Sequence, residues 1–320
     1  MRTLSMRIIC SVAVVCGSFP ALAAGNSAIA ERTFDLGAER SAEVQYFVMT
    51  SKSTNYALDG TRLGTDTMRL RLKYVPAEIS GREVDQYTCA DFTIEFGGAP
   101  EVSLPALRNW TYDFGPLDTG IDDKGQVFGI DHSRFENLTD ANGKPVAPDK
   151  PYVIYNAFID FHAFCNVFAC PIGNGGKGIQ DLKQIGDRIV HVAAFSEGPV
   201  HLGRHVAKGS TFTNGEITLE LRGLSVVDGH ACAIVAYDSG DSSFQMRMQP
   251  MPNMETRVVG SSHYQGDLYV DLATRWVRKA TMYEMVVVEL TLPVPPNKVN
   301  GVTERDILIR NVSEAEFAAW

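Results

Sequence analysis

A mainly β fold of the α+β class, two tandem antiparallel β-sheet modules joined by a helical connector, follows from three features of the 320-residue chain. Two separated regions alternate apolar and polar side chains with a period of two, which gives a sheet one buried and one wet face. A short pattern, Val-Asp, three residues, then Cys-Ala, occurs in both regions, at residues 84–90 and 227–233. Between them, residues 152–170 form the most aromatic stretch, bounded by Pro151 and Pro171.

The N-terminus carries Arg2 and Arg7, an apolar run, and Ala21, Ala23 and Ala24, the order of a secretory signal peptide. Residues 1–24 are therefore expected to be removed. Val15 is too bulky before Cys16 for a lipid-attachment signal. No other segment approaches the roughly 18 apolar residues of a membrane-spanning helix. Loss of Arg2 and Arg7 from 29 basic residues against 38 acidic ones leaves 27 − 38 = −11. That balance opposes polyanion binding, so nucleic acid is not an expected partner. An extracytoplasmic location, periplasmic or secreted, is expected.

The first β module is placed at residues 40–115. Val44, Tyr46 and Val48 share one face of a strand, and Met68, Leu70, Leu72 and Tyr74 alternate with Arg69, Arg71 and Lys73 in the next. A strand or hairpin follows through Cys89, Phe92, Ile94 and Phe96. The second module, residues 200–295, opens with Ile217, Leu219 and Leu221 against Thr218, Glu220 and Arg222, and its next strand carries the repeated pattern. An internal duplication of roughly 140 residues explains both likenesses. The β-branched run from Met282 to Leu292 reads as a buried strand. A C-terminal extension, residues 296–320, ends in a short acidic helix.

Residues 116–199 are the loop and helical connector. At 100° per residue, Tyr155, Phe158, Phe161, His162, Cys165 and Phe168 gather into one arc, with Asn156, Asp160 and Ala163 opposite. A second helix is expected over residues 179–192, where Ile179, Leu182, Ile185 and Ile189 share a face.

Once the signal is removed, Cys89, Cys165, Cys170 and Cys232 remain, an even number for an oxidising compartment. A Cys165–Cys170 disulfide is expected, Pro171 ending the helix so that the chain turns back. Cys89 and Cys232 are either buried thiols or a bridge between the modules.

Sites of known chemistry fail on spacing. The glycine run at residues 173–178 lacks the gap and the Ser or Thr of a phosphate loop. Gly240, Asp241 and Ser242 suggest an esterase nucleophile block, but the only later histidine, His263, has no acidic partner three residues upstream. His201 and His205 have the spacing of zinc ligands on a helix, which Pro199 and Gly203 oppose. No cofactor or metal is expected. One arrangement retains chemistry: His162 and Cys165 lie three apart on a helical face, where an imidazole lowers a thiol pKa, with Asp160 nearby.

Asp271, Thr274, Arg278 and Lys279 form a strand, turn and basic strand that resembles the hairpins of bacterial lipoprotein-carrier half-barrels, with Arg275 in place of the usual glycine. The whole chain looks like secreted bacterial β-rich proteins of unknown function, a likeness that implies no activity. The expected function is a secreted, non-enzymatic binding or carrier protein for a lipid or another hydrophobic ligand. The alternatives are a thiol-dependent hydrolase using Cys165 and His162, or a structural module without a ligand.

Overall fold

The computed structural model describes residues 32–114, 128–147, 150–198, 209–251 and 254–320. The expected signal peptide, His201 and His205 lie outside the described residues.

Alternating runs fold as the period predicts: Met68, Leu70, Leu72 and Tyr74 are buried along one face, and so are Leu219 and Leu221. The strands they belong to join one antiparallel sheet of 13 strands. Its long elements are β1 (Gln45–Tyr56), β2 (Arg62–Ile79), β3 (Arg82–Phe96), β8 (Thr218–Val227), β9 (His230–Asp238), β10 (Ser242–Met251), β11 (Met254–Asp271), β12 (Val277–Thr291) and β13 (Lys298–Asn311). Short strands are β4 (Val102–Ser103), β5 (Trp110–Phe114), β6 (Arg188–Val190) and β7 (Thr211–Thr213). Pairing runs β4, β3, β2, β1, β13, β12, β11, β9, β8, β6, and β10 carries β7 off the other half of β11.

The regions expected as two tandem modules are thus parts of one continuous sheet. The segment read as a C-terminal extension supplies the seam, because β13 pairs with β1 on one side and β12 on the other. The repeated pattern does not occupy matching positions. Val84 lies within β3, three residues past the Ser80-Gly81 turn, whereas Val227 ends β8 just before the Asp228-Gly229 turn. Both turns place two successive residues at positive φ, Ser80 at 54° and Gly81 at 76°, Asp228 at 49° and Gly229 at 84°. Such two-residue turns match the twist of the flanking strands, so local hairpin chemistry explains the common look.

Helix α1 (Lys150–His162) begins with Pro151 in its first turn, where a missing N–H costs nothing. It continues into a π turn, Ala163–Val167, closed by the Phe168 amide donating to the Ala163 carbonyl at 2.9 Å. Strands far apart in the pairing order both reach it: Phe158 stacks on Phe92 of β3 at 5.7 Å, and Phe164 on Tyr237 of β9 at 5.0 Å. The sheet is therefore curled around the helix. Phe161 adds edge contacts to Phe47 of β1 at 5.1 Å and Tyr87 at 5.7 Å. Each fully buried ring is worth about 1.5–3 kcal/mol of transfer free energy.

The face of β1 turned to α1 carries Phe47 and Met49, each 1% exposed. Tyr46 and Val48, on the other face, are covered by α2 (Glu314–Ala319), whose Phe317 ring lies 5.2 Å from Tyr46.

The helix expected over residues 179–192 does not form. Ile179–Asp181 is a single 3-10 turn, and the chain then extends into β6. Asp187 accepts from the amides of Lys183 and Gln184, both at 2.7 Å, and Gly186 sits at φ 96°, a turn that a helical backbone cannot contain. Ile179 and Leu182 are still fully buried.

The expected Cys165–Cys170 disulfide is absent: Cys89, Cys165, Cys170 and Cys232 are all free. The helical path does not stop before Cys165. It runs on through the π turn, and rise along the axis replaces the reversal that a five-residue bridge needs. We expect these four thiols to alkylate in denaturant without reductant, and Cys89, Cys165 and Cys232 to resist alkylation in the native protein. Intact-mass analysis checks both, and a bridged 165–170 peptide would contradict the first.

Candidate functional site

Curling the sheet around α1 leaves space where the helix does not fill it, an open concavity of about 2660 Å³. Two parts of α1 bear on its chemistry: the polar residues expected opposite the aromatic arc, and His162 with Cys165.

His162 is fully buried and ringed by Tyr87, Tyr112, Phe114 and Phe161. Its Nδ1 lies 3.2 Å from Asn166 Oδ1, an atom that only accepts, so Nδ1 carries the proton. Nε2 then accepts from the Tyr112 hydroxyl at 2.8 Å, and the Asn166 amide donates to the Tyr87 hydroxyl at 3.0 Å. The ring is held neutral, its pKa lowered to about 3 by burial. Burial also pushes the Cys165 thiol far up. Both imidazole nitrogens are engaged by Tyr112 and Asn166.

The polar side of α1 faces the sheet across the concavity. Asp160 is ion-paired to Arg305 of β13 through both guanidinium Nη atoms, and Arg305 Nε also donates to Glu284 Oε2 of β12 at 2.7 Å. Glu284 and Arg305 stand directly opposite each other in the β12–β13 register. Their side chains are only 9% and 16% exposed, and that of Asp160 15%. Two carboxylates share one cation, and burial lifts the Asp160 pKa to about 6 against the pull of Arg305. Asn156 and Tyr152, one and two turns before Asp160, line the same space.

Sequence reading missed Glu284 and Arg305. A signal was present for the first: Met282, Glu284, Val286 and Val288 have one parity, so a carboxylate stands on the inward face of a β-branched run. Beyond the triad this face becomes an apolar wall. Val286 and Val288 adjoin Val258 of β11 and Met246 and Phe244 of β10, with Phe212 of β7 at the edge. Gly260 makes room for the Phe244 ring, since a Cβ there would lie 2.5 Å from Phe244 Cζ. Gly266 likewise leaves a path for the Tyr237 hydroxyl to the Thr281 carbonyl at 2.8 Å.

Other sequence candidates are structural. Ser242 is fully buried, its hydroxyl accepting from the Gly215 amide at 3.2 Å. His263 sits between Asp238 at 3.1 Å and Asp241 at 3.2 Å on the surface. In the glycine run, Gln180 fixes the loop by donating to the Gly176 carbonyl at 2.8 Å. Asp271 terminates β11: its carboxylate accepts from the Ala273 amide at 2.8 Å, the Thr274 amide at 3.2 Å and Arg278 Nε at 2.9 Å. Among the described residues, no three His, Cys, Asp or Glu side chains are placed to hold a metal ion.

The buried histidines set an acid limit. His162 titrates near 3 and His191 near 4 in the folded chain, both depressed by burial, against 6.5 in the unfolded chain. Their stabilisation is complete above 6.5 and is lost as pH falls through that value. Each removes about 2 kcal/mol by pH 5, while Asp160, shifted upward, returns about 1 kcal/mol over the same interval. Thermal melts should fall from pH 7 to pH 5, and His162→Phe, although less stable at neutral pH, should show a shallower decline. Arg305→Met should destabilise by about 3–5 kcal/mol, since it leaves two uncompensated buried carboxylates. Adding Asp160→Asn and Glu284→Gln should restore most of the melting temperature.

No family model matches the chain, and no curated protein matches it. Among solved structures, a chain described as "Asymmetric conductivity of engineered proteins" aligns over 84% of this chain and 100% of its own, with 9% identity and a TM-score of 0.17. The anion-selective porin from Comamonas acidovorans aligns over 85% of this chain and 100% of its own, with 12% identity and the same TM-score. A TM-score of 0.17 carries no argument about fold or function.

Proposed function

We propose that this chain is a non-enzymatic, extracytoplasmic binding or carrier protein for a lipid or another hydrophobic ligand. The observation that carries the reading is the concavity between α1 and the sheet, with an apolar wall on β10, β11 and β12. Its volume, about 2660 Å³, exceeds the roughly 300–1,000 Å³ of small-molecule pockets and accommodates a chain-like ligand. The likeness of the Asp271–Lys279 hairpin to lipoprotein-carrier half-barrels points the same way. The extracytoplasmic compartment is proposed from the resemblance of residues 1–24 to a secretory signal.

The test is native purification of the secreted protein, followed by solvent extraction and mass spectrometry, with an environment-sensitive fluorophore titrated into the extracted protein. A co-purifying amphiphile, or saturable fluorescence abolished by Val286→Asp with Val288→Asp, is the expected result. An empty protein that binds no apolar probe would reject the reading.

A further inference from the structure

Resting on the carrier reading, we propose that the concavity selects a cationic amphiphile, its amine head seated at Asp160 and Glu284 and its alkyl chain along the apolar wall of β10–β12.

The wall is graded along one strand. On the inward face of β12, the buried Met282, Glu284 of the ion triad and the half-buried Val286 and Val288 all line the concavity in succession. At about 3.4 Å per residue, Glu284 to Val288 spans roughly 14 Å. Charge thus stands beside an apolar surface that runs away from it along β12, as an amphiphile with its head at Glu284 requires. A ligand of uniform hydrophobicity would leave the triad facing hydrocarbon, at the desolvation cost of an uncompensated charge.

The sign of the head follows from the charge balance. Ten acidic and three basic side chains line the concavity. Arg305 is shared by Asp160 and Glu284, Lys150 pairs with Asp66 at 3.0 Å and lies over Phe96, and Arg40 lies over the Trp276 ring and donates to the Cys165 carbonyl, its Nε and Nη1 having no hydrogen-bond partner. A carboxylate or phosphate head seated at the triad would meet two carboxylates whose one cation is already shared. An ammonium finds the triad one positive charge short, and carboxylate oxygens accept further hydrogen bonds.

Isothermal titration of the full secreted chain, below micelle-forming concentrations, compares dodecyltrimethylammonium, dodecylamine, dodecanol and dodecanoate at one chain length. The two cations are expected to bind at least on the order of tenfold more tightly than dodecanoate, with the preference shrinking at high salt. Asp160→Asn with Glu284→Gln should erase the preference while leaving dodecanol binding intact, which also reports that the variant is folded; Asp160→Asn alone serves if the double variant is not. Equal or tighter binding of dodecanoate by the unaltered chain overturns the cationic selection and leaves the carrier reading standing. Failure of all four ligands to bind overturns both.

Discussion

Helix α1 has no side turned to bulk water, and the fold depends on resolving that. One flank meets an aromatic shell drawn from β1, β3, β5 and the 3-10 turn His132–Phe135. The other meets β12 and β13 through a single guanidinium. Arg305 suits this place because its planar fork donates to two carboxylates at once, and a lysine would offer a point charge with no such geometry. Without that bridge, Asp160 would be a buried anion facing another across the concavity, and the sheet could not close on the helix there.

Beside the charged flank lies a neutral polar chain that works by the opposite principle. Tyr112, His162, Asn166 and Tyr87 satisfy one another inside the aromatic shell, so the core gains direction without net charge. The π turn contributes to this arrangement. Its widened ladder displaces carbonyls that a regular helix would use, and Arg40 donates to that of Cys165 while stacking on Trp276. Trp276 in turn donates from its indole to the Ser41 carbonyl at 2.9 Å, tying the N-terminal lead to the β11–β12 turn.

What could be read from the sequence was local. Period-two alternation located β2 and β8, because each has a single buried face, and the arc of Phe158, Phe161 and Phe168 located the helix. The reading failed where distant segments meet. Nothing near residue 305 announces that its partner is 145 residues away, or that β13 lies between β1 and β12. Val44, Tyr46 and Val48 read as one face of a strand, but the main core takes Phe47 and Met49 from the opposite face, while α2 covers Tyr46 and Val48 and leaves Val44 exposed. The periodicity of residues 179–192 suited a helix, but side-chain capping by Asp187 and the positive φ of Gly186 decided for a turn. The repeated Val-Asp and Cys-Ala pattern misled for a related reason: hairpins demand similar residues near their turns whether or not they share a register.

The same ion triad that holds α1 also explains why the concavity is not filled. Closing the sheet further would bury Val286, Val288 and Phe244, a gain of about 25 cal/mol for each Å² of apolar surface removed from water. It would also seal a cluster carrying two carboxylates and one cation, and dehydrating an unbalanced ion costs several kcal/mol even after relaxation. The two effects act on neighbouring residues of one strand and oppose each other. Collapse is therefore opposed beside Glu284, where the charged cluster adjoins the apolar wall. A neutral residue there would favour a smaller and drier interior, so the space is maintained by charge placed within it, beside apolar residues that remain only partly covered.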